Sequence, residues 1–234
     1  MQETIPADPF ELKSLSKIHP YRLLWTASSR LLDYYGRLTY KPISAQADRN
    51  KLVHFFTDRG SPLPDTVIGS RKAELLELAV AATESFTEPI VEIGSYRGAT
   101  TRQLALATKR LVYAVDPYVG YGGWESDMAM FKQKTHSLSN VCHLKKTSGS
   151  AFKQLQDNLF SLVFVDAVND FYNTWFNFSA WASLVRPGGL IAVDSVDDWP
   201  GPNLACHKIL AQTDKYSLWG YCPDLAIVQK KATS

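Results

Sequence analysis

The sequence predicts an α/β fold: a doubly wound, mostly parallel seven-stranded sheet with a C-terminal antiparallel hairpin and an N-terminal helical extension. Three observations predict it. From residue 89 onward, short apolar runs alternate with helical stretches, the pattern of parallel strands covered on both faces. The end departs from it, since 215–222 and 225–230 are two strand-like runs joined by Pro223-Asp224, as in a closing hairpin. Before residue 70 the apolar spacing is helical instead. A chain of 234 residues, 45% hydrophobic, can bury a full-sized core and is no disordered chain. The division falls near residue 70, with an extension at 1–70 and a sheet domain at 71–234.

Taken in order, 21–40 carries Leu23, Leu24, Leu31 and Leu32 with interspersed Arg22, Arg30 and Arg37, and reads as one or two amphipathic helices. Such a helix could lie on a membrane surface, but its basic residues are few for a lipid patch. Packing on the sheet domain or on a second subunit is the favoured expectation. Residues 60–65 (Gly-Ser-Pro-Leu-Pro-Asp) form a turn-rich break, and leucines and alanines at helical spacing follow over 72–82. Strands are expected at 90–93, 111–115, 141–144, 162–165 and 190–193, with helices at 100–108, 126–136, 151–158, 173–184 and 204–211.

Composition narrows the function. A formal charge of +2 gives no general basic surface, so nucleic-acid binding driven by bulk charge is not expected. No apolar run approaches the roughly 20 residues that span a bilayer, and the polar, acidic 1–10 segment does not read as a signal peptide. Cys142, Cys206 and Cys222 are scattered without a CxxC pair, which argues against a zinc ribbon or disulfide framework and for a reducing cytoplasm. The Asn177-Phe-Ser179 sequon is then a chance match.

The chemistry concentrates at strand ends. Val91-Glu-Ile-Gly-Ser-Tyr-Arg-Gly98 runs from a strand through a glycine-bearing turn into a helix. Gly94 and Gly98 let backbone approach a ligand, and the helix start offers free N–H groups. A dinucleotide site would show G-x-G-x-x-G; this loop has one glycine fewer. Glu92 before the turn would repel a pyrophosphate but suits the ammonium of an amino-acid-like cofactor. Asp116, ending Tyr113-Ala-Val-Asp116, can accept hydrogen bonds from both ribose hydroxyls of an adenosine cofactor; an Asp before Pro117 is also a common turn residue. Asp166 and Asp194 end two further strands, so both carboxylates share the carboxyl edge with Glu92 and Asp116. With Ser195, Asn169 or Asp170 they could hold a hard divalent ion, or each acid could cap the helix that follows.

Together, Glu92-x-Gly94-x-x-x-Gly98, Asp116, Asp166 and Arg186-Pro-Gly-Gly189 resemble a class I S-adenosylmethionine-dependent methyltransferase over about residues 70–230. The nearest resemblance is to small catechol-type O-methyltransferases and their bacterial sugar- and antibiotic-modifying relatives. It implies that Glu92, Gly94, Ser95, Gly98, Asp116, Ser150 and Asp166 bind S-adenosyl-L-methionine, with Ser150 beside the adenine or capping a helix. It implies that the extension is a lid over the cofactor, and that Asp166, Asp194 and Ser195 stand at the place of a divalent ion such as Mg2+. Ser195 replaces that group's asparagine ligand, and Asn169 its lysine base.

The expected reaction is methyl transfer to a hydroxyl oxygen of a small molecule. Enzymes of this kind align the acceptor with the sulfonium methyl and exclude water. The candidate catalytic residues are Asp166, Asp170 and Asn169, with His19 or His54 of the lid as other possible bases. Tyr118 and Trp124 are candidates for the cavity mouth. The expected partners are a small-molecule acceptor and no nucleic acid or membrane, with homo-oligomerisation open. Two rivals stand beside this reading: a catalytically inactive binding protein on the same frame, and a nicotinamide-dependent oxidoreductase.

Overall fold

The computed structural model describes residues 5, 8, 9, 17–45, 52–63, 68–120 and 123–232. Most of the acidic 1–10 segment, the end of the 60–65 break and two positions of the 117–125 loop lie outside them. The extension and first half comprise α1 (Pro20–Leu38), a 3-10 turn (Ile43–Ala45), β1 (His54–Phe55), α2 (Ser70–Ala82), β2 (Ile90–Ile93), α3 (Ala99–Leu106), β3 (Val112–Val115) and α4 (Glu125–Thr135). Then come β4 (Val141–Leu144), α5 (Ser148–Leu155), β5 (Phe160–Val165), α6 (Phe171–Leu184), β6 (Val185–Asp194), α7 (Pro200–Leu210), β7 (Tyr216–Cys222) and β8 (Leu225–Lys230).

The sheet order is β4-β3-β2-β5-β6-β8-β7-β1. All pairings are parallel except those of β8, which runs antiparallel to both β6 and β7. The fold class is as expected, with one addition: β1 of the extension pairs with the edge of β7, His54 opposite Gly220, making eight strands where seven were expected. A two-residue strand in a turn-rich stretch has no periodicity to read.

Alternation along the strands explains the double winding. Ile90, Leu162, Phe164, Leu190 and Ala192 pack with Leu75, Leu76, Val80 and Leu104 of α2 and α3. Their neighbours Val91, Ile93, Val163, Val165, Ile191 and Val193 pack on the opposite face with Leu155, Trp181, Cys206 and Ile209 of α5, α6 and α7. Each face buries its own apolar set, so a one-residue slip would expose both.

Boundaries moved where caps decide them. Thr147 accepts a hydrogen bond from Ser150 N and starts α5 at Ser148, three residues before the expected start. Asp170 does the same for Asn173 N and starts α6 at Phe171. β6 reaches back to Val185 and takes in Arg186-Pro-Gly-Gly189, because Phe160 of β5 pairs with Val185. Arg186 stacks 3.8 Å from the Phe86 ring and pairs with Glu88, so the arginine of that motif is a structural anchor.

α1 is one helix, opened by Pro20 at its first position. It docks on the sheet domain: Gly36 is buried against Pro200 of α7, where a Cβ would meet Pro200 Cβ at 3.0 Å. The Tyr172 hydroxyl of α6 donates to Ser28 Oγ at 2.9 Å. The outer face of α1 exposes Tyr21, Leu24, Leu31 and Leu38. No described helix is long and apolar enough to cross a membrane.

Candidate functional site

β2 has β3 on one side and β5 on the other, and from there the chain winds in opposite directions. Ligands of open α/β sheets bind in the crevice at the strand carboxyl ends of such a point. A cavity of about 320 Å³ lies there, lined by Ile93, Gly94, Tyr96, Val115, Asp116 and Pro117 from the first strands. Ser148 of α5, Asp166 to Val168 after β5, Asn173 and Asn177 of α6, Gly120 and Asp8 complete the wall.

Asp116 is fixed before any ligand arrives. Its Oδ2 accepts from Tyr96 N at 3.0 Å and its Oδ1 from Tyr118 N at 2.9 Å. The Tyr118 hydroxyl donates back to the Tyr96 carbonyl at 2.6 Å. Tyr96 and Tyr118 both have positive φ, 43° and 51°, a conformation that non-glycine residues adopt at a cost and that this network holds in place. Burial raises the Asp116 carboxyl above its usual range, against the two N–H donors that lower it. Tyr118 is therefore a buried brace, and Trp124, exposed at the start of α4, does not line the cavity.

The glycine turn works differently from the expectation. A Cβ on Gly94 (φ 98°) would fall 1.8 Å from the Asp166 carbonyl oxygen, and one on Gly98 (φ 75°) 2.7 Å from Phe131 Cδ2. Both glycines admit protein, Gly94 the end of β5 and Gly98 the α4 ring. Gly94 alone also lines the cavity. Ser95 is buried, 3.3 Å from the Tyr118 hydroxyl.

The pleat turns Glu92 away from the cavity wall. Ile93 faces the cavity, so Glu92 faces the other way, toward α3, where Thr101 Oγ1 donates to its carboxyl. Only 1% exposed, it is pushed up to about 8 by burial, with Asp116 adding to the rise and Thr101 opposing it. Glu92 is a buried acid beneath the turn, and burial biases it toward its protonated form.

Three other expectations shift. Ser150 is exposed, and Ser148 lines the cavity in its place, its Oγ accepting from Trp181 Nε1 at 2.8 Å. Asp170 caps α6, with its two oxygens on Asn173 N at 2.8 Å and Asn173 Nδ2 at 2.6 Å, and neither it nor Asn169 borders the cavity. His19 stacks on Tyr21 and His54 meets Trp219 edge-on; neither reaches the cavity. Asp166 does, and its carboxyl is raised well above the usual range by burial, then by Asp194 and Glu92.

The helix α6 supplies what the sequence reading passed over. Its Asn173 and Asn177, one turn apart, both line the cavity. Asn177 is 3% exposed, and its Oδ1 has no hydrogen-bond partner. A buried amide oxygen left unsatisfied in a cavity wall calls for a donor from a ligand. The signal was present: two amides at helical spacing in an otherwise aromatic and apolar helix.

At the place implied for a divalent ion, Asp194 is already engaged by groups of the chain itself. Asp194 Oδ1 lies 2.7 Å from Lys72 Nζ of α2, and its Oδ2 accepts from Ser195 Oγ at 2.9 Å. The carboxylate is thus engaged by an ammonium and a hydroxyl. By the β6 alternation Asp194 lies on the face that packs against α2, where Lys72 meets it. Among the described residues no group of three or more His, Cys, Asp or Glu is arranged to hold a metal.

A family model described as a methyltransferase domain matches residues 91–196. Residues 91–196 of this chain are thus similar to a methyltransferase domain. The matched span of the domain runs from β2 through Val196, just after β6, and so includes every strand end of the cavity.

No curated protein matches the sequence. Among solved structures, the O-methyltransferase TomG of Streptomyces achromogenes, involved in tomaymycin synthesis and bound to S-adenosylmethionine, is similar with TM-score 0.57 and 20% identity over 73% of this chain and 84% of that one. An O-methyltransferase of Bacillus cereus in complex with S-adenosylhomocysteine has TM-score 0.54 and 19% identity over 86% and 97%. An rRNA methylase of Streptococcus thermophilus has TM-score 0.53 and 15% identity over 69% and 95%. At these identities the likeness is one of fold alone.

Proposed function

We propose that the cavity binds S-adenosylmethionine and that the methyltransferase domain passes its methyl group to a hydroxyl oxygen of a small molecule. The observation that carries the cofactor half is Asp116: a carboxylate at the tip of β3, anchored by two backbone N–H groups, on the wall of a cavity at the switch point. Such an acid receives ribose hydroxyls. The complexes of TomG and of the Bacillus cereus enzyme with this cofactor and its product support the same reading, and both are O-methyltransferases.

The methyl group arrives on a sulfonium, so the chain has to hold the acceptor in line, keep water out and take up a proton. Asp166 is the carboxylate placed for the last of these. It borders the cavity, and burial with the neighbouring acids makes it more basic than an exposed aspartate. Asp170 is committed to its cap. Asp194 is held by Lys72 and is not available as the base.

Calorimetry with S-adenosylhomocysteine tests the cofactor half; absence of binding by the wild type would sink it. A screen of phenols and sugars with labelled methyl donor tests the acceptor half. Turnover by wild type and a drop of at least about 100-fold in Asp166→Asn, with product affinity kept, is the expected pair of results.

A further inference from the structure

We propose that Lys72 is a resident cation that takes up Asp194, one of the residues at the place the catechol-type resemblance assigns to a divalent ion, and pairs it with Asp224. Its Nζ lies 2.7 Å from Asp194 Oδ1 and 2.8 Å from Asp224 Oδ2. The side chains are 11%, 7% and 5% exposed, so three charges are buried together. A buried carboxylate pair persists only beside a compensating cation.

The surroundings are built around that charge. Asp224 Oδ1 accepts from the backbone N–H groups of Asp197 and Asp198, and Asp224 N donates to Asp197 Oδ2 at 2.8 Å. Ser195 N donates to the Asp224 carbonyl at 2.8 Å. Ser195 and Asp224 both hold positive φ, 63° and 75°. The ammonium therefore joins the segment after β6 to the β7–β8 turn, two strained corners that would otherwise carry facing negative charges.

A lysine point charge has three donors and can satisfy two carboxylates without an open coordination position. It can neutralise and position; it cannot bind and acidify an acceptor hydroxyl as an open metal site does. On the methyltransferase reading proposed above, transfer then needs no added divalent ion, and the proton must go to a side chain of the cavity.

The test uses Mn2+ on the full chain, followed by electron paramagnetic resonance and by thermal melting, so neither acceptor nor turnover is required. Wild type is expected to leave the free-ion signal unchanged. Lys72→Ala is expected to melt about 10 °C lower and to regain part of that loss with Mn2+, the ion entering between Asp194 and Asp224. Stoichiometric Mn2+ binding by wild type that disappears in Asp194→Asn overturns the proposal. So does a folded Lys72→Ala protein whose melting ignores Mn2+. If Lys72→Ala does not fold, the wild-type titration with Asp194→Asn decides alone. Failure of the methyltransferase reading would show separately, as absence of S-adenosylhomocysteine binding by wild type.

Discussion

Asn177 illustrates how a site declares itself at the scale of one residue. Its unsatisfied Oδ1 costs folding free energy in the empty protein, of the order of 1–3 kcal/mol for a buried polar group. A ligand donor would recover that cost, whereas a purely structural asparagine would already have a partner. Asn177→Leu is therefore expected to move two measurements in opposite directions. The empty protein should melt at the same temperature or higher, and S-adenosylhomocysteine should bind about tenfold weaker by calorimetry. A lower melting temperature with unchanged affinity would place the residue among the packing. Asp116→Ala should behave differently, because its carboxylate both faces the cavity and holds Tyr96 and Tyr118 at positive φ. There, product affinity and thermal stability should fall together; unchanged affinity in a folded variant would remove the ribose assignment.

At the scale of elements, the β2–α3 turn separates two glycines that look equivalent in the motif. The Cβ of Gly94→Ala would press on a backbone carbonyl at 1.8 Å, while that of Gly98→Ala would meet the edge of the Phe131 ring at 2.7 Å. A ring can rotate away; a strand end cannot without moving β5. Gly94→Ala is expected to lower the melting temperature by about 10 °C and Gly98→Ala by less than half of that, and the reverse order in thermal scans would refute the contrast. The same turn shows what was legible beforehand. Apolar runs and turn residues located β2, β3, β5 and their acids, because those signals are local and periodic. Which face each side chain takes is set by pairing across the sheet, so Glu92 could be placed at the edge but not assigned to the side of Thr101. Caps moved α5 and α6 by a few residues, and with them the cavity position passed from Ser150 to Ser148. The ion pair of Lys72 with Asp194 joins residues 122 positions apart, a separation at which one sequence carries no pairing signal.

Across the whole molecule the near-neutral charge conceals an edge where acids are held against their tendency to ionise. Glu92 is pushed up to about 8, chiefly by burial, and Asp116 and Asp166 are also raised, again by burial first. The sign of the consequence follows from proton counting. An acid with a raised native pKa keeps its proton in the folded state after the unfolded chain, titrating near 4.3, has lost it. The native state then binds more protons, so stability declines as pH rises, from about 4.3 until Glu92 itself ionises near 8. Lys72 is also raised, but by a different cause: burial alone would depress it, and Asp194 and Asp224 hold it above its ordinary value, so it adds a dependence only in the alkaline range beyond this window. Glu92→Gln keeps the size and a carbonyl to accept from Thr101 while removing the titration. Its melting temperature between pH 5 and 8 is therefore expected to fall less steeply than that of wild type, with the two curves closest at pH 5 and the variant the more stable at pH 8. Parallel curves across that range would show that Glu92 does not retain its proton, and its bias toward the protonated form beneath the glycine turn would have to be abandoned.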